Sequence, residues 1–154
     1  MIRTDRKVRI CTVLLVLNIL FIWGNSLLPG SVSGAISLWV RNAVAFLFPD
    51  SMAGPDTGHG LIRKLAHFTE FACLGGLLTW LLSMHRKPTI LALAGGFFVA
   101  GMDETIQCFV PDRGPAFRDV LLDTLGVLLG IVLCRVGYTI FCRLAKQSLE
   151  DTKT

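Results

Sequence analysis

Five apolar runs alternate with short polar segments along this chain. The first extends from Ile10 to about Leu28 and is broken by Asn18, Gly24 and Asn25. A shorter one, from Ile36 to Phe48, carries Trp39, Arg41 and Asn42. The third runs from about Leu61 to Leu82, the fourth from about Thr89 to Phe109, and the fifth from Asp119 to about Phe141. The four longer runs approach or exceed the roughly 20 residues that a helix needs to cross a bilayer. At about 13 residues, the run from Ile36 is too short to span and predicts an interfacial or re-entrant helix with Trp39 at headgroup level. Around it, Pro29, Gly30, Gly34, Pro49, Gly54, Pro55, Gly58 and Gly60 read as loop punctuation, with Asp50, Asp56 and His59 in a polar loop. The pattern predicts an all-α polytopic membrane helical bundle, with about four transmembrane helices plus a short interfacial helix.

Composition supports that class. Of 154 residues, 53% are hydrophobic and 17% charged, too apolar for an ordinary soluble domain. A net charge of +4 raises nucleic acid as a partner, but the basic residues sit between apolar runs rather than along a polar face, so no nucleic-acid partner is expected. The first run is long for the apolar core of a signal peptide, although the small residues from Ser31 to Ala35 would suit cleavage, and an uncleaved anchor is the expectation. The five cysteines fit no zinc or redox spacing, and Cys11, Cys73 and Cys134 read as small apolar residues. Cys108 lies nearest the polar stretch described next.

The basic residues set an orientation. With the N-terminus, the hinge from Met84 to Pro88 and the C-terminal tail in the cytoplasm, that side holds Arg3, Arg6, Lys7, Arg9, Arg86, Lys87, Arg135, Arg143, Lys146 and Lys153. Arg41, Arg63, Lys64, Arg113 and Arg118 remain on the other. The excess predicts a multi-pass protein of the cell membrane with both termini cytoplasmic. The start of the third run, the end of the fourth and the start of the fifth then lie together in the outer leaflet.

Those three places hold the polar residues. The segment Gly101–Gly130 sets Asp103, Glu104, Gln107, Asp119 and Asp123 into two apolar runs joined by a loop containing Arg113. Ionisable groups at membrane depth are costly and usually face a bundle interior or a wet cavity. At about 100° per residue, Asp103, Glu104 and Gln107 share one helix face, which Gly96 and Ala100 continue. Asp119, Asp123, Gly126 and Gly130 form a nearly straight stripe on the next helix, where small residues invite close packing. Lys64, His67 and Glu70 occupy about a third of a third helix's circumference. Asp112 and Arg118 read as solvated loop charges, and Phe68, Phe71, Phe97 and Phe98 as packing or lipid contacts.

These residues resemble the VanZ-like family. The resemblance lies in Lys64-Leu-Ala-His67-Phe68, Asp103-Glu104-Thr-Ile-Gln107, Pro111-Asp-Arg113-Gly114, and Asp119 with Gly126 and Gly130, and it covers about 61–130. Glu70 and Asp123 depart from the family pattern, Asp123 standing where Asn is common. The resemblance implies a small integral membrane protein of the bacterial cell envelope, in a family whose namesake is linked to teicoplanin resistance. On this reading, residues 1–9 form a basic cytoplasmic N-terminus, 10–142 the VanZ-like transmembrane domain, and 143–154 a cytoplasmic tail.

Three function classes remain open. In a binding protein, Lys64, His67, Glu70, Asp103, Glu104, Gln107, Arg113, Asp119 and Asp123 would hold a membrane lipid, a lipid-linked cell-wall precursor or a lipoglycopeptide. In an enzyme, Glu104, Asp103 and His67 are the catalytic candidates, the acids and His67 offer ligands to a divalent cation, Mg²⁺ or Zn²⁺, and Lys64, Arg113 and Arg118 would clamp a phosphate. No G-x-S-x-G, H-E-x-x-H or P-loop motif supports a particular reaction. In a scaffold, the same charges neutralise one another and fix helix register.

Overall fold

A computed structural model describes residues 2–47, 58–114 and 116–151. The described residues form five helices and no strand: α1 (Ile2–Ser26), α2 (Gly30–Leu47), α3 (Gly58–Met84), α4 (Ile90–Gln107) and α5 (Phe117–Asp151). Three of them, α1, α3 and α5, contain segments long and apolar enough to cross a membrane. The sequence predicted about four spans. The fourth, α4, has only 18 residues, and its last turns carry Asp103, Glu104 and Gln107, which dilute its apolar character. It is nevertheless a full member of the bundle, packed against α1, α3 and α5.

The helix α3 is the hub and packs against each of the other four. Its closest partner is α5, and glycine makes the approach possible. A Cβ on Gly130 would collide with the backbone carbonyl of Ala72, and one on Gly75 with that of Val127. A Cβ on Gly126 would lie 2.6 Å from the Phe68 carbonyl oxygen. In a membrane, where apolar contact with a neighbour is no better than contact with lipid, such backbone-to-backbone packing is a main source of helix association. Around this contact, Ile22, Phe71, Leu74, Ala92, Val99, Val127 and Ile131 build the core. Phe98, Leu125, Leu133 and Phe141 point outward, as they would towards lipid.

The helix α2 begins earlier than the sequence suggested. Pro29 carries a preset φ and its carbonyl accepts the amide of Ser33 at 3.0 Å, opening the helix directly. Gly30 and Gly34 are absorbed into it, giving 18 residues rather than about 13. Trp39 is 73% exposed, and Ser37 is buried. The polar loop containing Asp50 and Asp56 lies outside the described residues. His59 belongs to the first turn of α3 rather than to that loop.

Two close contacts tie the chain together at one end of the bundle. The amide of Gly30 donates to the Pro111 carbonyl at 3.1 Å. A Cβ at Gly30 would strike the Asp112 carbonyl, so the α1–α2 and α4–α5 connections meet backbone to backbone. Asp112 itself adopts a left-handed conformation (φ 58°) in the tight turn. At the other end α5 continues well beyond its neighbours, and its side chains from Arg135 to Ser148 are exposed. With 35 residues it is about 52 Å long.

Candidate functional site

The end tied by Gly30 and Pro111 gathers the last turn of α1, the first turns of α3 and α5, and the last turns of α4. On α4 the buried residues are Ala92, Gly96, Val99, Ala100, Asp103, Glu104 and Gln107, a helical stripe that changes from apolar to polar as it nears this end. Asp103 is completely buried. Its Oδ2 accepts a hydrogen bond from Gln107 Nε2 at 3.0 Å, and the same Gln107 nitrogen lies 3.2 Å from Ser26 Oγ on α1. Among the described residues Asp103 Oδ1 has no hydrogen-bond partner. His67 Nδ1 likewise has no hydrogen-bond partner among them and stands 3.9 Å from Asp103 Oδ2.

Asp123, on the buried stripe of α5, is 2% exposed. One ligand atom from each of His67, Asp103 and Asp123 falls within 4.8 Å of the others. Glu70 lies on the side of α3 that faces α1 and α2. Its Oε1 accepts from Asn25 Nδ2 at 2.9 Å, while its Oε2 is buried without a hydrogen-bond partner among the described residues. Buried polar groups ordinarily find partners, so these carboxylate and imidazole atoms stand out.

The remaining predicted residues serve other ends. Glu104 is buried, and its Oε2 accepts the Ala116 amide at 2.9 Å, fixing the entry to α5. Arg113 Nε donates to the Leu28 carbonyl at 3.1 Å and its Nη2 to the Asn25 carbonyl at 2.9 Å. The guanidinium thus serves carbonyls at and just past the end of α1, where the Asn25 carbonyl also accepts the Leu28 amide at 3.3 Å. Its third contact, to Gln107 Oε1, is 3.5 Å. Burial and the neighbouring Arg63 cation draw the Arg113 guanidinium below its usual value, yet an arginine keeps its charge. Lys64 pairs with Asp119 at 3.8 Å at the rim, where the lysine is half exposed. Such a pair contributes little to stability.

The expected clamp of Lys64, Arg113 and Arg118 is therefore not assembled. Arg113 is turned to backbone carbonyls, and Arg118 is exposed on the first turn of α5 rather than in a loop. Cys108 is also set apart, its thiol lying 3.3 Å from the Glu104 carbonyl of its own helix.

Two small hollows open here. One of about 10 Å³ is bordered by Arg63, Lys64, His67, Glu104, Asp119 and Asp123. The other, about 100 Å³, lies between α1, α2 and α3 beside Asn25, Ser37, Arg63, His67, Glu70 and Arg113. Sequence reasoning missed Asn25, Ser26 and Arg63. Asn25 and Ser26 lie near the end of the first apolar run, but nothing local showed that α1 would deliver them to acids on α3 and α4.

A family model described as VanZ/LLP1 matches residues 10–141. The chain belongs to the VanZ/LLP1 family. The match reaches past the motifs between 61 and 130 into α1 and α2, so it includes Asn25 and Ser26 as well as the acids they meet. No curated protein and no solved structure matches the chain. Family membership and membrane-spanning helices together make this a VanZ-like membrane protein.

Proposed function

We propose that this VanZ-like protein is a component of the bacterial cell envelope and binds a lipid-linked or cell-surface ligand at the polar end of its bundle, with that end in the outer leaflet. The observation that carries this reading is a mismatch of charge. Glu70, Asp103, Glu104 and Asp123 are wholly or largely buried, but the nearest cations meet other partners or sit at the rim. A buried carboxylate is costly unless a partner or a proton neutralises it. An amine or a bound cation on the ligand would supply it at Glu70 and Asp103, while Arg63 and Lys64 at the rim would meet a phosphate or carboxylate. The hollow beside Glu70 has room for a small polar group.

Two features weigh against the rival readings. A charge network serving only helix register would pair its acids with its bases, yet Arg113 meets carbonyls. In an acid/base enzyme, Glu104 would be the natural catalyst, yet its carboxylate holds the Ala116 amide.

The family resemblance extends the proposal to lowered susceptibility to teicoplanin-type lipoglycopeptides. A sensitive Gram-positive host expressing the wild type should tolerate several-fold more teicoplanin than a host with empty vector, with vancomycin susceptibility little changed. Asp103→Asn keeps the shape and an acceptor for Gln107 but removes the buried charge. It should return teicoplanin susceptibility to the vector level at unchanged protein abundance. Full protection by the variant would show that the buried acid has no part in the effect.

Orientation has its own test. A cysteine at Gly114, where a Cβ meets no described residue within 4 Å, should react with a membrane-impermeant thiol reagent applied to intact cells expressing the protein without its native cysteines. One at the exposed Lys87 should not. These positions are better than their neighbours Asp112 and Arg86, which have positive φ. The opposite labelling pattern would put the polar end in the cytoplasm and end the outer-leaflet reading.

A further inference from the structure

We infer that His67, Asp103 and Asp123 form a binding site for one zinc ion. The three side chains come from three helices, α3, α4 and α5, and present one ligand atom each, all within 4.8 Å of one another. Geometry alone would describe many clusters of acids. Here Asp103 is completely buried and, among the described residues, its Oδ1 has no hydrogen-bond partner, and neither has His67 Nδ1. The hollow of about 10 Å³ beside His67 and Asp123 is about the size of a single water molecule or ion.

The donor set selects the metal class. One imidazole nitrogen with two carboxylate oxygens suits zinc, which takes mixed nitrogen and oxygen ligands in tetrahedral sites. Magnesium and calcium prefer oxygen shells with more ligands. Two carboxylates would balance the ion's double charge beside a neutral imidazole, leaving a site with no net charge inside an apolar bundle. His67 Nδ1 and Asp103 Oδ2 are 3.9 Å apart and the three ligand atoms lie within 4.8 Å of one another, against about 3.3 Å across a tetrahedral zinc site, so the side chains would have to close on the ion by about 1 Å. Gln107 already orients the Asp103 carboxylate through its 3.0 Å hydrogen bond and is itself placed by Ser26, the kind of outer support on which metal sites depend.

Three protein ligands leave a fourth position for water or for a ligand atom. That position would open towards the hollow bordered by Arg63, Lys64 and Asp119. This use of the ion rests on the binding function proposed above, whereas zinc binding itself does not.

The test uses the full-length chain, freed of purification tags and purified in detergent. After treatment with a chelator it is titrated with zinc alone, and bound metal is counted by elemental analysis. Wild type should retain about one zinc per chain more than His67→Gln or Asp123→Asn, and zinc should raise its melting temperature but not theirs. Both variants should keep wild-type helix content and elution. If one fails to fold, the other decides. Equal zinc in wild type and a folded variant would overturn the site, because the metal would then be held by other histidines or cysteines. Magnesium stabilising the wild type in preference to zinc would overturn the assignment of the ion. Stabilisation by anionic lipid vesicles in zinc-free protein, with no zinc uptake, would overturn the metal site and leave the binding reading standing.

Discussion

Gly130→Leu leaves no stably folded bundle. Any Cβ at this position collides with the Ala72 carbonyl and approaches the Gly76 amide nitrogen to 2.8 Å, so the obstacle is backbone on the facing helix and cannot rotate away. The helices α3 and α5 must separate there, and the approaches at Gly126 and Gly75 separate with them. Overpacking a well-filled core costs about 1–3 kcal/mol, and a backbone collision at the main helix pair places this change at or above the upper end. The check is membrane abundance together with melting temperature in detergent. Gly137→Leu is the control, because on the same helix a Cβ at Gly137 meets nothing within 4 Å and should leave both unchanged. Wild-type stability for Gly130→Leu would mean that the α3–α5 contact is not what holds the bundle.

Arg113→Lys should be nearly as damaging to the polar end, although it conserves charge. The guanidinium spans the Leu28 and Asn25 carbonyls through two different nitrogens, at 3.1 Å and 2.9 Å. A lysine ammonium is a point donor on a flexible stem and cannot reproduce that fork. Hydrogen bonds from charged groups contribute about 1.5–3 kcal/mol each, so losing one or both should cost on the order of 3 kcal/mol. The end of α1 would loosen, and Asn25 would lose its position against Glu70. The expected readouts are a lower melting temperature and faster thiol labelling of a cysteine placed at Leu28. Arg118→Lys, at an exposed position, should match the wild type in both. If Arg113→Lys also matched it, Arg113 would be acting as a charge rather than as a fork, and the phosphate clamp would return as its role.

Much of this architecture was legible because helical periodicity survives in a membrane sequence. Asp103, Glu104 and Gln107 fell on one face with Gly96 and Ala100, and the folded α4 buries all five. Asp123, Gly126 and Gly130 made a stripe, and α5 buries all three, with Asp119 half buried at its outer end. These are local facts, set by about 100° of rotation per residue. What stayed hidden was long-range. Asn25 meets Glu70 across 45 residues, Gln107 meets Ser26 across 81, and Arg113 meets Asn25 across 88. No local pattern indicates that an arginine will satisfy carbonyls rather than pair with acids. The start of α2 was obscured for another reason, since glycines that usually mark loops are carried inside a helix opened by Pro29.

The helix α5 also acts as a ruler set against the bilayer. Arg135 is the first charge after Asp123, twelve residues further along the same rod. At 1.5 Å per residue the two are about 18 Å apart, whereas the hydrocarbon of a typical bilayer is about 30 Å thick. If Arg135 stands at one surface of that layer, Asp123 lies about 12 Å beneath the other. Asp123 is 2% exposed and faces the bundle rather than lipid, so whatever reaches it must descend between the helices, past Lys64 and Asp119 at the rim.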